Sequence, residues 1–300
     1  MNGREIHTPV LLHEVIEYLN LSAGKRFIDA TLDGGGHSRA IREQYPDIGI
    51  LGIELDPVEL KEFRERFPEA ARSMTLVNDS YVNLERIVQE HQFRPDAILF
   101  DLGLSSWHLE SSGRGFSFQK DEPLDMRFGS HLAGRTAADI INTATPEELE
   151  EIISTYGEER FAPEIVRGIV TARGVKPVMT TQELVEVISR AVPKWYTKRK
   201  IHWATKTFQA LRIAVNDELE NVQKGIEAAM RVLNPSGRLA VISFQGLEDK
   251  AVRSAFRRGV EQGLIRWVTK RTIRPSWEER KRNPRSRSAK MKIAEKMSNV

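Results

Sequence analysis

The first hundred residues alternate short buried strands with helices, and this alternation constrains the fold more than any other feature of the sequence. The apolar pattern predicts four strands, over Arg26–Leu32, Gly49–Leu55, Ser73–Val77 and Ala97–Leu102. It predicts helices from His37, over Val58–Phe67 (behind Pro57, which suits a first helical position) and over Val82–His91. Strands separated by helices of about ten residues indicate a parallel, doubly wound sheet.

The alternation stops after the fourth strand and returns near the end of the chain. Between Ser105 and about Leu211, turns rich in glycine and serine separate short helical patches, including one after Thr145 and one over Thr181–Val192. The later predicted elements are a long helix Thr207–Leu233, a strand Arg238–Phe244, a helix Glu248–Gln262, a strand Leu264–Lys270 and an alternating edge strand from Ala289 to Ala294. The sequence therefore predicts a discontinuous sheet domain, residues 1–106 and 212–300, with a mostly helical insertion over 107–211.

Composition excludes several classes of protein. Cysteine is absent, which rules out a disulfide scaffold, a thiolate metal site and a cysteine nucleophile. No uninterrupted apolar run exceeds four residues, so no membrane-spanning helix is predicted. Charged Arg4 and Glu5 stand where a secretory signal would be apolar. Together these features predict a cytoplasmic protein. The seven histidines are scattered and none pairs with acids at ligand spacing, so no metal site is predicted.

The charge of the chain is uneven along its length. Residues 266–300 hold twelve Lys/Arg and three Glu, a net charge of +9. The other residues carry 33 Lys/Arg and 39 Asp/Glu, a net charge of −6. A basic end on a mildly acidic body favours a polyanionic partner, although a solvated tail has the same composition.

A glycine turn joins the first predicted strand to the first helix. Gly34, Gly35 and Gly36 let the backbone approach a ligand closely, and the helix start at His37 offers free N–H groups. A dinucleotide fingerprint would place a third glycine where Arg39 stands, and a P-loop lysine is also missing. The turn alone therefore does not identify a ligand.

The other strand ends are polar as well. Glu54 or Asp56 follows the second strand, where an acid can accept hydrogen bonds from both hydroxyls of a ribose. Asp79 and Tyr81 follow the third strand and suit an adenine amine and ring, although Asp79 equally suits a helix cap. Asp101 ends the fourth. Ligands of such sheets bind beyond the carboxyl ends of the strands, so these residues together predict a nucleoside-type site.

Several strings in the sequence together resemble those of one known family. Four lie at the strand ends, Asp29–Ser38, Ile53–Pro57, Asp79-Ser80 and Asp101–Ser106. Six others are His7–Leu12, Arg114–Phe118, Pro123–Arg127, Tyr156–Phe161, Thr207–Arg212 and Asn283–Arg287. From His7 to about Lys296 the chain resembles the bacterial 16S rRNA cytosine-N4 methyltransferase family, called MraW or RsmH. The resemblance implies an α/β class I S-adenosylmethionine-dependent methyltransferase (Rossmann-like) sheet with a helical insertion.

The resemblance also implies a substrate and site residues. The substrate would be the N4 amine of a decoding-region (P-site) cytidine in 16S rRNA of the small ribosomal subunit. S-adenosylmethionine would be held by Gly34, Gly35, Gly36, His37, Glu54, Asp79, Tyr81 and Asp101. His108 joins this set although the family often has Gln there, just as it often has Asp in place of Glu54. Asp101 also becomes the candidate catalytic residue. Apart from the resemblance, Ser105 and Ser106 in the loop after Asp101 are candidate contacts to the base, although serines in such a loop commonly only form the turn. Gln245-Gly246 stands where many members have His-Ser, so no role is assigned to that loop.

Two basic regions predict contact with RNA. Lys194–Arg212 holds six Lys/Arg and no acid, interleaved with aromatic residues that can stack on unpaired bases. We expect Trp203 and Phe208 to be core residues, however. The predicted RNA-binding residues are Lys198, Arg199, Lys200, Arg280, Arg282, Arg285 and Arg287.

Two other classes of function stay open at this point. One is a non-catalytic RNA-binding protein that keeps the fold, and the other is a nicotinamide-dependent oxidoreductase on the same sheet. The missing third glycine counts against the second, and the intact candidate contacts count against the first. The oligomeric state, including a homodimer, is not determined by the sequence.

Overall fold

The computed structural model describes residues 9–129 and 134–298, so Arg4, Glu5, His7 and Thr8 lie outside the described residues. Seven strands are present in this part of the chain. They are β1 (Arg26–Asp29), β2 (Gly49–Glu54), β3 (Thr75–Asn78), β4 (Ala97–Asp101), β5 (Arg238–Ser243), β6 (Ile265–Trp267) and β7 (Lys290–Lys296).

The α-helices of the described residues fall into two groups. Those of the first half are α1 (Leu12–Tyr18), α2 (Gly36–Gln44), α3 (Pro57–Arg66), α4 (Pro68–Arg72), α5 (Leu84–Glu90), α6 (Ser106–Glu110) and α7 (Ala137–Thr143). Those of the second half are α8 (Pro146–Gly157), α9 (Ala162–Val175), α10 (Thr181–Ala191), α11 (Thr205–Asn216), α12 (Glu218–Val232), α13 (Gly246–Glu261) and α14 (Trp277–Arg282). Pro57 is the first residue of α3, as predicted, and the helix predicted after Thr145 is α8, which Thr145 caps.

The strands form one mixed sheet in the order β3-β2-β1-β4-β5-β7-β6. β1 to β5 run parallel to one another, and β7 runs antiparallel to both β5 and β6. Side chains alternate between the two faces: Ile28 and Phe100 enter one apolar core, while Phe27 and Leu99 enter the other. Burial of both faces confirms the predicted doubly wound α/β sheet.

The last strand differs from the prediction of an edge strand. β7 lies between β5 and β6, and its residues Met291 to Ala294 are buried. The alternation of apolar and polar residues arises because Lys292 is buried beside the Asp249 carboxylate, to which its ammonium donates. Lys292, a charged residue paired with Asp249, thus occupies a buried position that the alternation of apolar and polar residues predicts to be exposed to solvent.

The chain divides into two compact units. We call Met1–Gly103 with Leu219–Val300 the sheet unit, and Leu104–Glu218 the helical unit. The helical unit has its own apolar core, built mainly from α7 to α11, with Ile141, Ile153, Ile165, Leu184 and Leu211 at its centre. Phe208 is buried in this core and Trp203 packs against it, as the sequence predicts.

One long helix was predicted over Thr207–Leu233, and this is wrong. α11 ends at Asn216, and Asp217 adopts the left-handed conformation (φ 48°) before α12 begins. The apolar spacing continues through the break because each helix buries a face, but in different cores: Leu211 in that of the helical unit, Ile226 in that of the sheet unit. None of the helices in the described part of the chain has the length and apolar character needed to cross a membrane.

Candidate functional site

The carboxyl ends of β1, β2 and β4 bring most of the predicted cofactor residues together. The register places Asp29 of β1 opposite Gly52 of β2 and Leu99 of β4, so Glu54 and Asp101 extend past it on either side. Parallel strands end at one edge of a sheet, and the loops that follow them line a crevice there.

The glycine turn starts α2 at this edge. Gly35 has a left-handed backbone (φ 65°), and a Cβ on it would lie 2.2 Å from Cε2 of Phe63. Gly34 differs, because a Cβ there would meet no atom within 4 Å. The turn therefore requires glycine at position 35 and leaves open space at position 34, where a ligand can approach the backbone.

Glu54 is held by the backbone around it. Its Oε2 accepts from the Asp33 N–H and its Oε1 from the Asp56 N–H, each at 2.9 Å. Burial raises the pKa of Glu54 to about 7, although the two hydrogen bonds act in the opposite direction. Each carboxylate oxygen keeps a second accepting position, which is what a pair of ribose hydroxyls needs. Asp56, the alternative, caps α3 through the Val58 N–H.

Two further acids lie beside Glu54 that the sequence patterns did not single out. Carboxylate oxygens of Asp33, Glu54 and Glu59 all lie within 4.8 Å of one another. Burial and the neighbouring acids raise the pKa of Asp33 well above its ordinary value. Oxygen donors in this number suit hydroxyl groups or a cation equally. The absence of a metal stays a prediction.

Asp29 and Asp101 form the other half of the acidic edge. Asp29 is buried, and its Oδ2 accepts from the Ser38 hydroxyl at 2.6 Å. Burial raises its pKa to about 7. Burial, Asp29 and Glu248 raise the pKa of Asp101 well above the ordinary value. Within the described residues the Oδ1 atom of Asp101 is buried without a hydrogen-bond partner.

The His37 ring lies between Asp101 and the backbone of Val10. Its Nε2 is 3.0 Å from the Val10 carbonyl oxygen, and its Nδ1 is 3.7 Å from Oδ2 of Asp101. Buried acids with raised pKa values favour a cationic or hydrogen-bond-donating ligand, because such a ligand stabilises their charged form. The amino group of a methionine moiety and the hydroxyls of a ribose fit this edge.

Asp79 and Tyr81 occupy the loop after β3. Asp79 Oδ1 accepts from the Ser80 N–H at 2.7 Å and from Asn83 Nδ2 at 2.8 Å, while its Oδ2 pairs with Arg86. The Tyr81 ring packs edge-on against Phe100, with ring centroids 5.3 Å apart. The cap lies one residue later than the alternative prediction for Asp79, because Ser80 accepts from the Val82 N–H at 3.2 Å and caps the short 3-10 turn that follows. A cofactor role for Asp79 or Tyr81 stays a prediction.

Ser105 and His108 belong to the helical unit. Ser105 caps α6 by accepting from the His108 N–H at 3.2 Å, and its Oγ is 2.7 Å from His108 Nδ1. The His108 ring packs edge-on against Phe116 and Phe128. Both side chains are buried, and their first observed role is to fix each other.

The predicted RNA-binding cations are all exposed. Lys198, Arg199 and Lys200 lie at the end of a short 3-10 turn in the helical unit. Arg280, Arg282, Arg285 and Arg287 lie on and after α14 in the sheet unit.

One exposed aromatic ring accompanies the first of these groups. Trp195 is 53% exposed, and the guanidinium carbon of Arg160 lies 4.5 Å from its ring centroid. Tyr196 is buried, and its hydroxyl donates to Glu159 Oε2 at 2.6 Å. Tyr196 therefore anchors the segment, and Trp195 is presented at the surface beside three cations. Sequence reasoning did not single out Arg160, because it lies 35 residues before Trp195.

Comparison with known proteins assigns the chain to a family. The model of the MraW methylase family matches residues 4–297. The chain belongs to the MraW methylase family. The ribosomal RNA small subunit methyltransferase H of Dictyoglomus thermophilum is 46% identical over 297 residues, 98% of each chain. The protein of the same name from Desulfotalea psychrophila is 43% identical over 299 residues, 99% of this chain and all of that one.

Solved structures resemble the chain more distantly. TrmN from Thermus thermophilus aligns with 98% of this chain and 50% of its own, with 12% identity and a TM-score of 0.46. An rRNA methylase from Streptococcus thermophilus aligns with 99% of both chains, with 14% identity and a TM-score of 0.42.

Family membership bears out the prediction made from the ten sequence strings. The sheet order with an antiparallel β7 confirms the predicted class I methyltransferase fold. S-adenosylmethionine is the cofactor of the MraW methylase family, as predicted. The individual site residues stay predictions.

Proposed function

We propose that this chain methylates 16S rRNA of the small ribosomal subunit at the exocyclic N4 of a decoding-region (P-site) cytidine. Membership of a methylase family and relatives named ribosomal RNA small subunit methyltransferase H support the RNA substrate. The observation that carries the chemistry is Asp101, a buried carboxyl at the end of β4 whose Oδ1 has no partner among the described residues. An rRNA substrate also implies a cytoplasmic location.

The proposed cofactor contacts follow the acidic edge. Gly35, Gly36 and His37 hold the methionine end at the start of α2, and Glu54 accepts from the ribose hydroxyls. Gly34 belongs to the same turn. Asp79 stays in the set because an ionised carboxylate has about four accepting positions, and Ser80, Asn83 and Arg86 use three of them. Tyr81 and His108 complete the set as proposed contacts.

Asp101 is the proposed catalytic residue. When bound, S-adenosylmethionine supplies a strongly electrophilic methyl group, so the protein mainly has to align the amine with it. Cytosine N4 is a weak nucleophile because its lone pair is delocalised into the ring. The Asp101 carboxylate accepts a hydrogen bond from this amine and draws on its proton, which raises its nucleophilicity. Ser105 is a proposed contact to the base.

The test is single-turnover methyl transfer from labelled S-adenosylmethionine to 16S rRNA or the small subunit. Asp101→Asn keeps the shape of the side chain and removes its charge, so we expect the rate to fall by at least about a hundredfold, the scale of positioned acid–base groups. Cofactor affinity should change less. Because the pKa of Asp101 is raised, the parent rate should increase with pH as the carboxyl ionises.

Asp96→Asn is the matched control, because Asp96 stands just before the other end of β4 and accepts from the Arg26 N–H at 2.9 Å. It should methylate like the parent. A rate for Asp101→Asn within threefold of the parent removes Asp101 from the mechanism. Calorimetric titration with S-adenosylmethionine and with NAD separates the enzyme from the two alternatives, a non-catalytic RNA-binding protein and a nicotinamide enzyme.

The RNA is proposed to contact both basic groups. Lys198, Arg199 and Lys200 neutralise phosphates while Trp195 stacks on an unpaired base, and the four arginines on and after α14 hold a second stretch of backbone. The target base must leave its stack to reach Asp101, so single-stranded or loosened RNA is the expected substrate.

A further inference from the structure

We propose that Glu279 is a positioning residue for the methyl-transfer site, acting through the Val10–Leu11 turn on His37. The inference rests on the proposed function, in which His37 and Asp101 face the methyl donor. Glu279 lies on α14, among the basic residues proposed to bind RNA, and does not itself touch Asp101. Four successive observations link it to the site.

The first observation is the backbone at Leu11. Leu11 adopts the left-handed conformation (φ 56°, ψ 30°), which costs a residue other than glycine about 1–2 kcal/mol. Its N–H donates to Glu279 Oε1 at 2.8 Å, across 268 residues of sequence. The Leu11 side chain is buried in the core of the sheet unit. The turn therefore persists because its side chain and its N–H are both held.

The second observation is the way Glu279 departs from local capping. Ser276 caps α14 by accepting from the Glu279 N–H at 3.1 Å, and Ser276 with Glu279 has the spacing of a capping box. In a capping box the glutamate would return to the backbone of Ser276. Here its Oε1 is directed to Leu11 instead. The Glu279 carboxylate, which is spaced to cap α14, thus accepts a hydrogen bond from the distant Val10–Leu11 turn.

The third observation is the contact between that turn and His37. A carbonyl oxygen can only accept, so the 3.0 Å contact between Val10 O and His37 Nε2 places a proton on Nε2. The other ring nitrogen, Nδ1, then faces Oδ2 of Asp101 at 3.7 Å. The Val10 carbonyl thereby holds a proton on Nε2 and orients the ring on that side.

The fourth observation is that these contacts follow one another in space, from Glu279 to Asp101. Glu279 fixes the N–H of Leu11, Leu11 directly follows Val10, Val10 orients His37, and His37 faces Asp101. Methyl transfer depends on alignment, and a misplacement of about 1 Å can cost about a hundredfold in rate. RNA bound by Arg280 and Arg282 would contact α14, the same helix whose Glu279 holds the Leu11 N–H.

The experiment compares full-length Glu279→Ala, Glu279→Gln and Glu278→Ala. Glu278 is exposed on the same helix, so its variant changes the same charge without reaching Leu11. The first measurement is the ¹⁵N chemical shift of the His37 ring without RNA or cofactor, which reports the tautomer. The second is the single-turnover rate at saturating S-adenosylmethionine, beside the melting temperature and cofactor Kd.

We expect Glu279→Ala to shift the His37 signals and to lower the rate about tenfold or more. Glu279→Gln keeps an acceptor for Leu11, so it should restore both measurements to within about twofold of the parent, and Glu278→Ala should match the parent. Glu279→Asp shortens the reach by one methylene and should fall between, which tests the proposal even if the alanine variant unfolds. Unchanged His37 signals in Glu279→Ala, or equal losses in the Gln and Ala variants, overturn it. A parent chain that methylates no RNA refutes the proposed function, while the His37 signals still decide the role of Glu279.

Discussion

At the scale of single residues, the site is a set of acids held out of water. Asp29, Asp33, Glu54 and Asp101 all have raised pKa values, with burial as the first cause in each case. Burying several carboxyls away from cationic side chains costs stability, so a cluster of this kind is typical of a site where a bound ligand donates hydrogen bonds to the carboxyls. The acidic edge is therefore organised for a ligand with hydroxyl and amino groups.

Glu54 gives the first prediction at this scale. Charge-assisted hydrogen bonds are worth about 1.5–3 kcal/mol each, so Glu54→Ala should weaken S-adenosylmethionine binding at least about tenfold in calorimetry. The melting temperature should also fall, because the Asp33 and Asp56 N–H groups lose their acceptor. The exposed Glu62→Ala on α3 is the control and should bind like the parent. An unchanged Kd for Glu54→Ala would move the ribose contact to another acid.

Asp29 gives a prediction about pH. Burial raises its pKa from 3.8 to about 7, so between these values the folded chain holds a proton that the unfolded chain has lost. The contribution of Asp29 to stability is thus complete below about pH 4 and is lost as pH rises through about 7. Asp29→Asn removes this dependence and keeps an acceptor for Ser38. Its free energy of unfolding, measured by denaturant titration from pH 5 to 8, should fall less steeply than that of the parent.

Between pH 5 and pH 8 the free energy of unfolding of the parent should fall by about 2–3 kcal/mol more than that of Asp29→Asn, because the effect ends once pH passes the folded pKa of about 7. Asp47→Asn, at an exposed acid, should give a curve parallel to that of the parent. Parallel curves for Asp29→Asn and the parent would mean that Asp29 ionises normally in the folded chain.

Some of these residues were predictable from the sequence and others were not. Glu54 and Asp101 end strands, and strand ends are visible in the apolar pattern. Asp29 also ends a strand, but its burial and its hydroxyl partner Ser38 are visible only in three dimensions. The pattern of apolar residues along α3 gives no reason to place Glu59 in a site. Its carboxylate comes close to that of Glu54 because α3 packs on β2.

At the scale of elements, the glycine turn shows how a strand and a helix build the site. Gly35→Ala should place a Cβ against the Phe63 ring and force a left-handed alanine. Left-handed strain and overpacking together cost about 2–4 kcal/mol, so a clear loss of melting temperature and of cofactor affinity is expected. Gly34→Ala, where a Cβ meets nothing within 4 Å, is the matched control for stability. Equal melting temperatures for the two variants would show that the turn adapts.

The two errors in predicting elements have one physical origin. Apolar spacing reports that a face is buried, without reporting what covers it. α11 and α12 both satisfy helical spacing, and only the left-handed Asp217 marks their separation. β7 satisfies strand alternation, and only the burial of Lys292 beside Asp249 shows that the strand is internal. Tertiary pairing decided both cases.

At the scale of the whole molecule, the two units carry different parts of the proposed reaction. The acidic edge lies in the sheet unit, and Trp195 with its neighbouring cations lies in the helical unit. Each unit has its own apolar core, so substitutions on the surface of one should leave the other folded. Cofactor binding and RNA binding should therefore be separable by mutation.

The last prediction tests this separation. Replacing Lys198, Arg199 and Lys200 by Ala should lower RNA affinity and make its dependence on log salt concentration shallower, because fewer phosphate contacts release counterions. The Kd for S-adenosylmethionine should stay unchanged. Arg72, Arg94 and Arg257 are exposed cations of the sheet unit, and their triple alanine variant removes the same charge. A general loss of positive charge affects both triple variants alike. If Lys198, Arg199 and Lys200 contact phosphates, the RNA affinity of their variant should therefore depend less steeply on log salt concentration than that of the control variant. Equal slopes for the two triple variants would mean that Lys198–Lys200 is a solvated face, and RNA recognition would then rest on the arginines around α14.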